Sequence, residues 1–253
     1  MADSNGSGPR CTIHMSLQGK GGVGKSLAAS VLAQYLMARG HAVRVIDADA
    51  VNKTLHQYAA LGATSLQLLR DSAIDERVFD GLVDELLTSD GPFVVDNGAS
   101  TFVPLWHYML ESDVLGLLHG AGRKLYLHVV ITGGQALTDT VKGFAEIAAT
   151  TPSRNLIVWI NEYFGRVQHE GKEFVEMQAY LDHADKVCGC VAIARRNHAT
   201  FGRDVEELIA RKLTFEEGIR DGAFSLIAKQ RLRMVQRELF EQLDSLDLGV
   251  AGL

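Results

Sequence analysis

Short apolar runs rich in β-branched residues alternate with longer stretches of helical period from one end of the chain to the other. This alternation predicts repeated βαβ units, and so a doubly wound α/β fold whose mostly parallel sheet is flanked by helices. The apolar runs place strands at residues 12–17, 42–47, 93–96, 125–131, 156–160 and 187–193, with helices over 26–39, 75–87, 102–118 and 138–149. In the first helix Leu27, Val31, Leu32, Tyr35 and Leu36 share one side, and Gly40 stands where a glycine ends a helix. A last helix is expected over 225–246, with Ile227, Leu232, Val235, Leu239, Leu243 and Leu246 inward. Its first half is basic through Lys229, Arg231, Arg233 and Arg237, as in a membrane-surface helix. Glu238, Glu241, Asp244 and Asp247 in the second half would be repelled by anionic lipid, which favours packing on the sheet.

A chain of 253 residues, 47% hydrophobic and 22% charged, is long enough for a sizeable core and is not disordered in bulk. Only four prolines and no Ser/Pro-rich linker leave residues 11–247 as one domain, between a polar flexible tail at 1–10 and a short tail at 248–253. The longest apolar run, 156–160, is far short of the ~18 residues needed to span a bilayer. The polar start has no apolar signal region, so the expected location is cytoplasmic. Three cysteines fit a reducing compartment, and Cys188 and Cys190 lack the second pair or spaced histidines of a metal site. No histidine has an i, i+4 or triad-like partner, so no hydrolytic or metal centre is expected from them.

After the first predicted strand comes Gly19-Lys20-Gly21-Gly22-Val23-Gly24-Lys25-Ser26, which fits G-x-x-x-x-G-K-[ST] at a strand-to-helix junction. Gly19, Gly21, Gly22 and Gly24 let the backbone wrap so that successive N–H groups, that of Val23 included, point inward. The following helix N-terminus adds its positive end, completing an anion cradle. Lys25 is then the residue for the β- and γ-phosphates, and the Ser26 hydroxyl is a ligand for Mg²⁺. Phe93-Val94-Val95-Asp96 is an apolar strand ending in an acid, the form of a Walker B, so Asp96 is the second candidate to hold Mg²⁺. Gly98 lets the backbone approach the γ-phosphate. Asp47 and Asp49 end another strand near the same crevice; on spacing alone they are equally a pair of solvated loop acids.

Lys20 is an additional charge that a plain phosphate loop does not need. The pattern K-G-G-x-G-K-[ST] resembles the deviant Walker A motif of the ParA/MinD family of P-loop ATPases. That resemblance implies that Lys20 reaches across a dimer interface to the nucleotide of a partner subunit, so that two ATP-bound copies face each other. It also implies that Asp49 orients the attacking water and Asp47 supports the water shell of the metal. Relatives that partition plasmids commonly carry a proline-bearing sequence after the Walker B acid, whereas here Asn97-Gly98-Ala99-Ser100 follows. With that loop, Leu17-Gln18-Gly19, Asp47 through Thr54, Ala199 through Asp204 and Leu213-Thr214-Phe215, most of the chain is similar to the TraL-type branch encoded with plasmid conjugation systems.

No N-K-x-D guanine clamp is present. The resemblance makes Asn161, at the end of a strand, the contact to an adenine edge, with a plain strand-to-loop turn as the alternative. Arg195, Arg196 and Arg203 form a basic cluster suited to non-specific DNA, since phosphate contacts need charge and not a fixed motif, and a solvated loop explains it equally well. The net charge of −6 speaks against a protein coated for nucleic acid. The resemblance thus implies a cytoplasmic, Mg-ATP-dependent dimerising ATPase with slow hydrolysis that supports conjugative plasmid transfer, with conjugation or relaxosome proteins as partners. Plasmid partition or protein positioning is the alternative. A nucleotide-dependent adaptor without catalysis is a further one, and amide ligation is disfavoured by Lys20.

Overall fold

The structure is a computed structural model that describes residues 11–49, 51–70 and 73–248. The tail expected at 1–10 and residues 249–253 lie outside the described residues. Leu248, expected in a tail, is instead buried in the core beside Leu243.

One sheet holds β1 (Cys11–Ser16), β2 (Arg44–Ala48), β3 (Thr64–Ser65), β4 (Phe93–Asn97), β5 (Arg123–Thr132), β6 (Leu156–Asn161) and β7 (Val187–Ile193). Their order is β7-β6-β5-β1-β4-β2-β3, and every neighbouring pair is parallel. β2, β3 and β4 lie on one side of β1 and β5, β6 and β7 on the other. The carboxyl end of β1 therefore opens where the winding changes direction, which is where open α/β sheets bind ligands.

Helices cover both faces, and strands buried on both faces read as near-continuous apolar runs. One face carries α2 (Glu76–Thr88), α3 (Ala99–Glu111), α4 (Val114–Gly120), α5 (Leu137–Thr150) and the single turn α6 (Gln178–Leu181); their Phe79, Leu105, Leu118 and Phe144 pack on Ile13, Met15, Val95 and Leu127. The other face carries α1 (Lys25–Ala38), α7 (Arg203–Ala210), α8 (Phe215–Arg220) and α9 (Leu226–Asp244), packed on Val45, Val94, Val130 and Trp159.

Three features depart from the sequence pattern. The helix expected over 102–118 is two helices, because Asp113 takes a left-handed φ of 47° between them. On α9, Ala228, Leu232, Val235, Leu239 and Leu243 are buried as the period requires, but Ile227 is 61% exposed. The acids of its second half are used internally: Glu238 pairs with Arg196, and Asp244 accepts from Arg39 and Tyr35. Finally, the even positions of β1, Thr12, His14 and Ser16, are polar yet buried against the α1 layer. There His14 Nδ1 lies 3.0 Å from His128 Nε2, and Trp159 Nε1 donates to His128 Nδ1 at 2.9 Å. The indole can only donate, so His128 carries its proton on Nε2 and donates to His14.

Candidate nucleotide site

The chain leaves β1, crosses residues 17–24 and enters α1 at Lys25. Gly22 and Gly24 have φ of 74° and 104°, a left-handed backbone that glycine takes without steric cost. A side chain at Gly24 would also meet Asn161 Nδ2 at 2.6 Å. Residues 19–22 are open to solvent, while Lys25, one turn further in, is only 7% exposed. Its Nζ donates to Lys20 O at 2.8 Å. Burial lowers its pKa, and the nearby Asp96 and Asp49 charges work against that. A buried ammonium behind a ring of backbone N–H groups is an anion site.

The carboxyl ends of β1, β4 and β2 bring the expected acids together, with Ser16, Asp96 and Asp47 in one register row. Asp96 is 1% exposed, and among the described residues neither of its oxygens has a hydrogen-bond partner within ordinary geometry. Burial pushes its pKa up to about 7, against the influence of the Ser26 hydroxyl and Lys25. A buried carboxylate left without donors, beside a hydroxyl, is a hard oxygen set that fits Mg²⁺ held by Ser26 and, through water, Asp96.

Asp47 and Asp49 behave differently from one another. Asp47 is fully buried, and its oxygens accept from Asp49 N at 3.0 Å and His56 N at 2.7 Å. It fastens the following loop, a commitment that the expectation of a metal-shell role did not include. Asp49 accepts from Val51 N, Asn52 N and Asn52 Nδ2 at 2.9–3.2 Å. Burial pulls its pKa upward, but those donors and Lys25 outweigh it and hold the carboxyl below its usual range. It is therefore an ionised acceptor beside the phosphate loop.

Gly98 starts α3 and presses on this acid: a Cβ there would lie 2.7 Å from Asp49 Oδ1 and 3.1 Å from its Cα. Gly98→Ala is therefore expected to destabilise the protein by about 1–3 kcal/mol through overpacking. Urea unfolding measures this, and an unchanged midpoint would mean that the two loops are not in contact. Thr101, which the motif reading missed, donates to Asn97 Oδ1 at 2.5 Å and, more weakly, to Ala48 O at 3.4 Å, so it bridges the ends of β2 and β4. A threonine in the first turn after a Walker B loop was its only sequence trace.

Asn161 reaches the site in an unexpected role. Its Nδ2 donates to Val23 O at 2.8 Å and its Oδ1 accepts from Tyr163 N at 3.1 Å, so the amide ties the end of β6 to the phosphate loop. One N–H of the amide remains for a base. Beside it, a cavity of about 630 Å³ opens between the loops after β6 and β7 and the first turn of α1, lined by Leu27, Glu162, Tyr163, Ala194, Asn197 and Val205 among others. Within the basic cluster Arg196 pairs with Glu238 and lies over Phe201 at 5.7 Å, while Arg195 and Arg203 are exposed. Lys20, exposed at the rim of the loop, lies 2.7 Å from Asp139 on α5, a residue the sequence reading did not single out. Among the described residues no helix is long and apolar enough to cross a membrane.

A phosphate loop at the switch of a parallel sheet, faced by a Walker B acid, defines a P-loop nucleotide-binding protein of the α/β class. The model of the CobQ/CobB/MinD/ParA nucleotide binding domain matches residues 15–205, and the chain belongs to that family. It is 44% identical over 234 residues to Protein TraL of Escherichia coli, covering 92% of this chain and 97% of that protein. A second E. coli sequence of the same name matches at 43% over the same length. Among solved structures, the MinD cell division protein of Aquifex aeolicus shares the fold with a TM-score of 0.51 at 16% identity, over 91% of this chain and 97% of that one.

Proposed function

We propose that the protein is a Mg-ATP-dependent dimerising switch with slow hydrolysis that supports conjugative plasmid transfer. The observation that carries this reading is the pair of lysines on one complete phosphate loop: Lys25 is buried behind the loop, whereas Lys20 is 47% exposed at its rim, facing outward. A lysine inside the cradle serves the bound phosphates, and one outside it, though paired with Asp139 in its own subunit, stands where a facing subunit would meet it. The transfer setting rests on the likeness to the TraL-type branch.

In this reading the N–H groups of residues 19–26 and Lys25 hold the triphosphate, Asn161 fixes the loop, and the base enters the cavity beside Leu27 and Tyr163. Mg²⁺, when bound, neutralises charge on the phosphates, with Ser26 and Asp96 as the residues that hold it. Asp49, ionised and fixed by its backbone donors, accepts a hydrogen bond from water and orients it, while Asp47 keeps the Asp49 turn in place. Lys20 of a facing copy completes the charge around the phosphates.

Sedimentation velocity and phosphate release with Mg-ATP test this reading together. Asp49→Ala should bind ATP and dimerise but release phosphate about 10²-fold more slowly. Lys20→Ala should bind ATP as a monomer. Wild-type turnover by Asp49→Ala would move the water-orienting role elsewhere, and no turnover by the wild type would favour the adaptor. Duplex DNA in the same run addresses the exposed Arg195 and Arg203: a DNA-bound ATP form, with normal mating but rapid plasmid loss after gene deletion, would favour partition.

A further inference from the structure

In the single subunit Lys20 is already engaged: its Nζ donates to Asp139 Oδ2 at 2.7 Å, and about half of each side chain, 47% and 56%, faces solvent. Asp139 lies in the first turn of α5, and that turn is fastened to the root of the phosphate loop by other groups. Gln18 Nε2 donates to Val130 O at 2.8 Å and, more weakly, to Thr140 O at 3.4 Å. Thr140 Oγ1 in turn accepts from Thr132 N at 3.3 Å and donates to Leu137 O at 2.9 Å. Gln18 and Thr140 are both buried. The carboxylate is thus presented by a fixed scaffold, while Lys20 rides on the solvent-open part of the loop.

We infer that Asp139 is a positioning residue that holds Lys20 within its own subunit, and so sets how readily ATP-bound subunits pair. The inference rests on the proposed reach of Lys20 to a facing subunit. On pairing, Lys20 exchanges one carboxylate for a triphosphate of higher charge, so the ion pair is replaced and not simply lost. Lys142, itself paired with Glu146, acts on the Asp139 carboxylate more weakly than Lys20 does. An exposed pair is a weak restraint, which makes Asp139 a bias and not a block. Each restraint is worth about 2.2- to 5.5-fold in an equilibrium constant, and a dimer that opens two of them loses about 5- to 30-fold in affinity.

The test is sedimentation velocity of the full chain with Mg²⁺ and a non-hydrolysable ATP analogue, comparing wild type, Asp139→Asn, Asp139→Glu and Lys20→Ala. Asp139→Asn should tighten the dimer about 5- to 30-fold. Lys20→Ala, expected to stay monomeric, sets the baseline, and Asp139→Glu, which keeps a carboxylate for Lys20, should return the dimer constant towards that of the wild type; a merely structural role would shift Asp139→Glu and Asp139→Asn alike. An unaltered dimer constant in Asp139→Asn, or an equal shift in Asp139→Glu, overturns the inference while a wild-type dimer leaves the wider reading intact. If neither wild type nor Asp139→Asn pairs at any concentration, the dimer reading and this inference fall together. Pairing by Asp139→Asn alone would support a restraint stronger than an ordinary surface pair.

Discussion

Lys25→Ala is expected to abolish nucleotide binding and leave the fold standing. The ammonium sits behind the phosphate loop, 7% exposed, with a single backbone carbonyl, that of Lys20, as its hydrogen-bond partner. A triphosphate replaces that carbonyl with a far stronger charge-assisted partner, and losing such a partner at a desolvated site costs about 2–5 kcal/mol, or roughly 30- to 5,000-fold in affinity. Stability should change much less, because burial already works against this charge and the truncation leaves no hydrogen-bonding group of its own behind. Calorimetric titration with Mg-ATP and a thermal melt of the same sample separate the two effects. Unchanged affinity in a folded variant would remove the phosphate-loop assignment, and a melt that collapses would make Lys25 structural.

Stability is expected to fall as the pH drops below about 6.5, and His14→Gln should soften that fall. His14 and His128 are wholly buried; burial pushes His14 down to about 3 and His128 well below its ordinary value. Between pH 6.5 and 3 the unfolded chain takes up protons that the native pair refuses, so their contribution is complete above the unfolded pKa and is lost on acidification. Each refused proton amounts to roughly 1.4 kcal/mol per pH unit. Asp96 acts in the opposite sense: with its pKa raised to about 7, the native state binds its proton before the unfolded chain does, which favours folding as the pH falls. The difference between wild type and His14→Gln cancels that opposing slope. It should leave about 1 kcal/mol per pH unit between pH 6 and 5, measured from urea midpoints. Parallel pH profiles for the two proteins would show that His14 is not held neutral by the core.

Much of this was readable from local rules. The phosphate loop is a contiguous motif whose glycines, lysine and serine are fixed by spacing, and the strands of a doubly covered parallel sheet announce themselves as apolar runs. α1, α2, α5 and α9 appear within a residue or two of their expected bounds because period and end signals coincide: Gly40 follows α1, Asp75 caps α2 and Ser225 caps α9. The break at Asp113 was hidden, because a left-handed aspartate leaves no mark in hydrophobic period. The roles of Asp47 and Asn161 were hidden for a different reason. A sequence lists donors and acceptors but not which of them meet, and both side chains turn out to be fastening loops. Asp139 lies 119 residues from Lys20 and becomes its neighbour only through the β1–β5 pairing that brings α5 to the phosphate loop.

The contact between Gly98 and Asp49 limits how many states the site has. The loop after β2 and the start of α3 occupy adjoining space so closely that even a methyl group cannot stand between them. Neither segment can advance unless the other withdraws or travels with it. Two loops that were free to move would offer four combinations; the exclusion removes the one with both advanced and leaves three. A shift of either loop is therefore constrained by the position of the other.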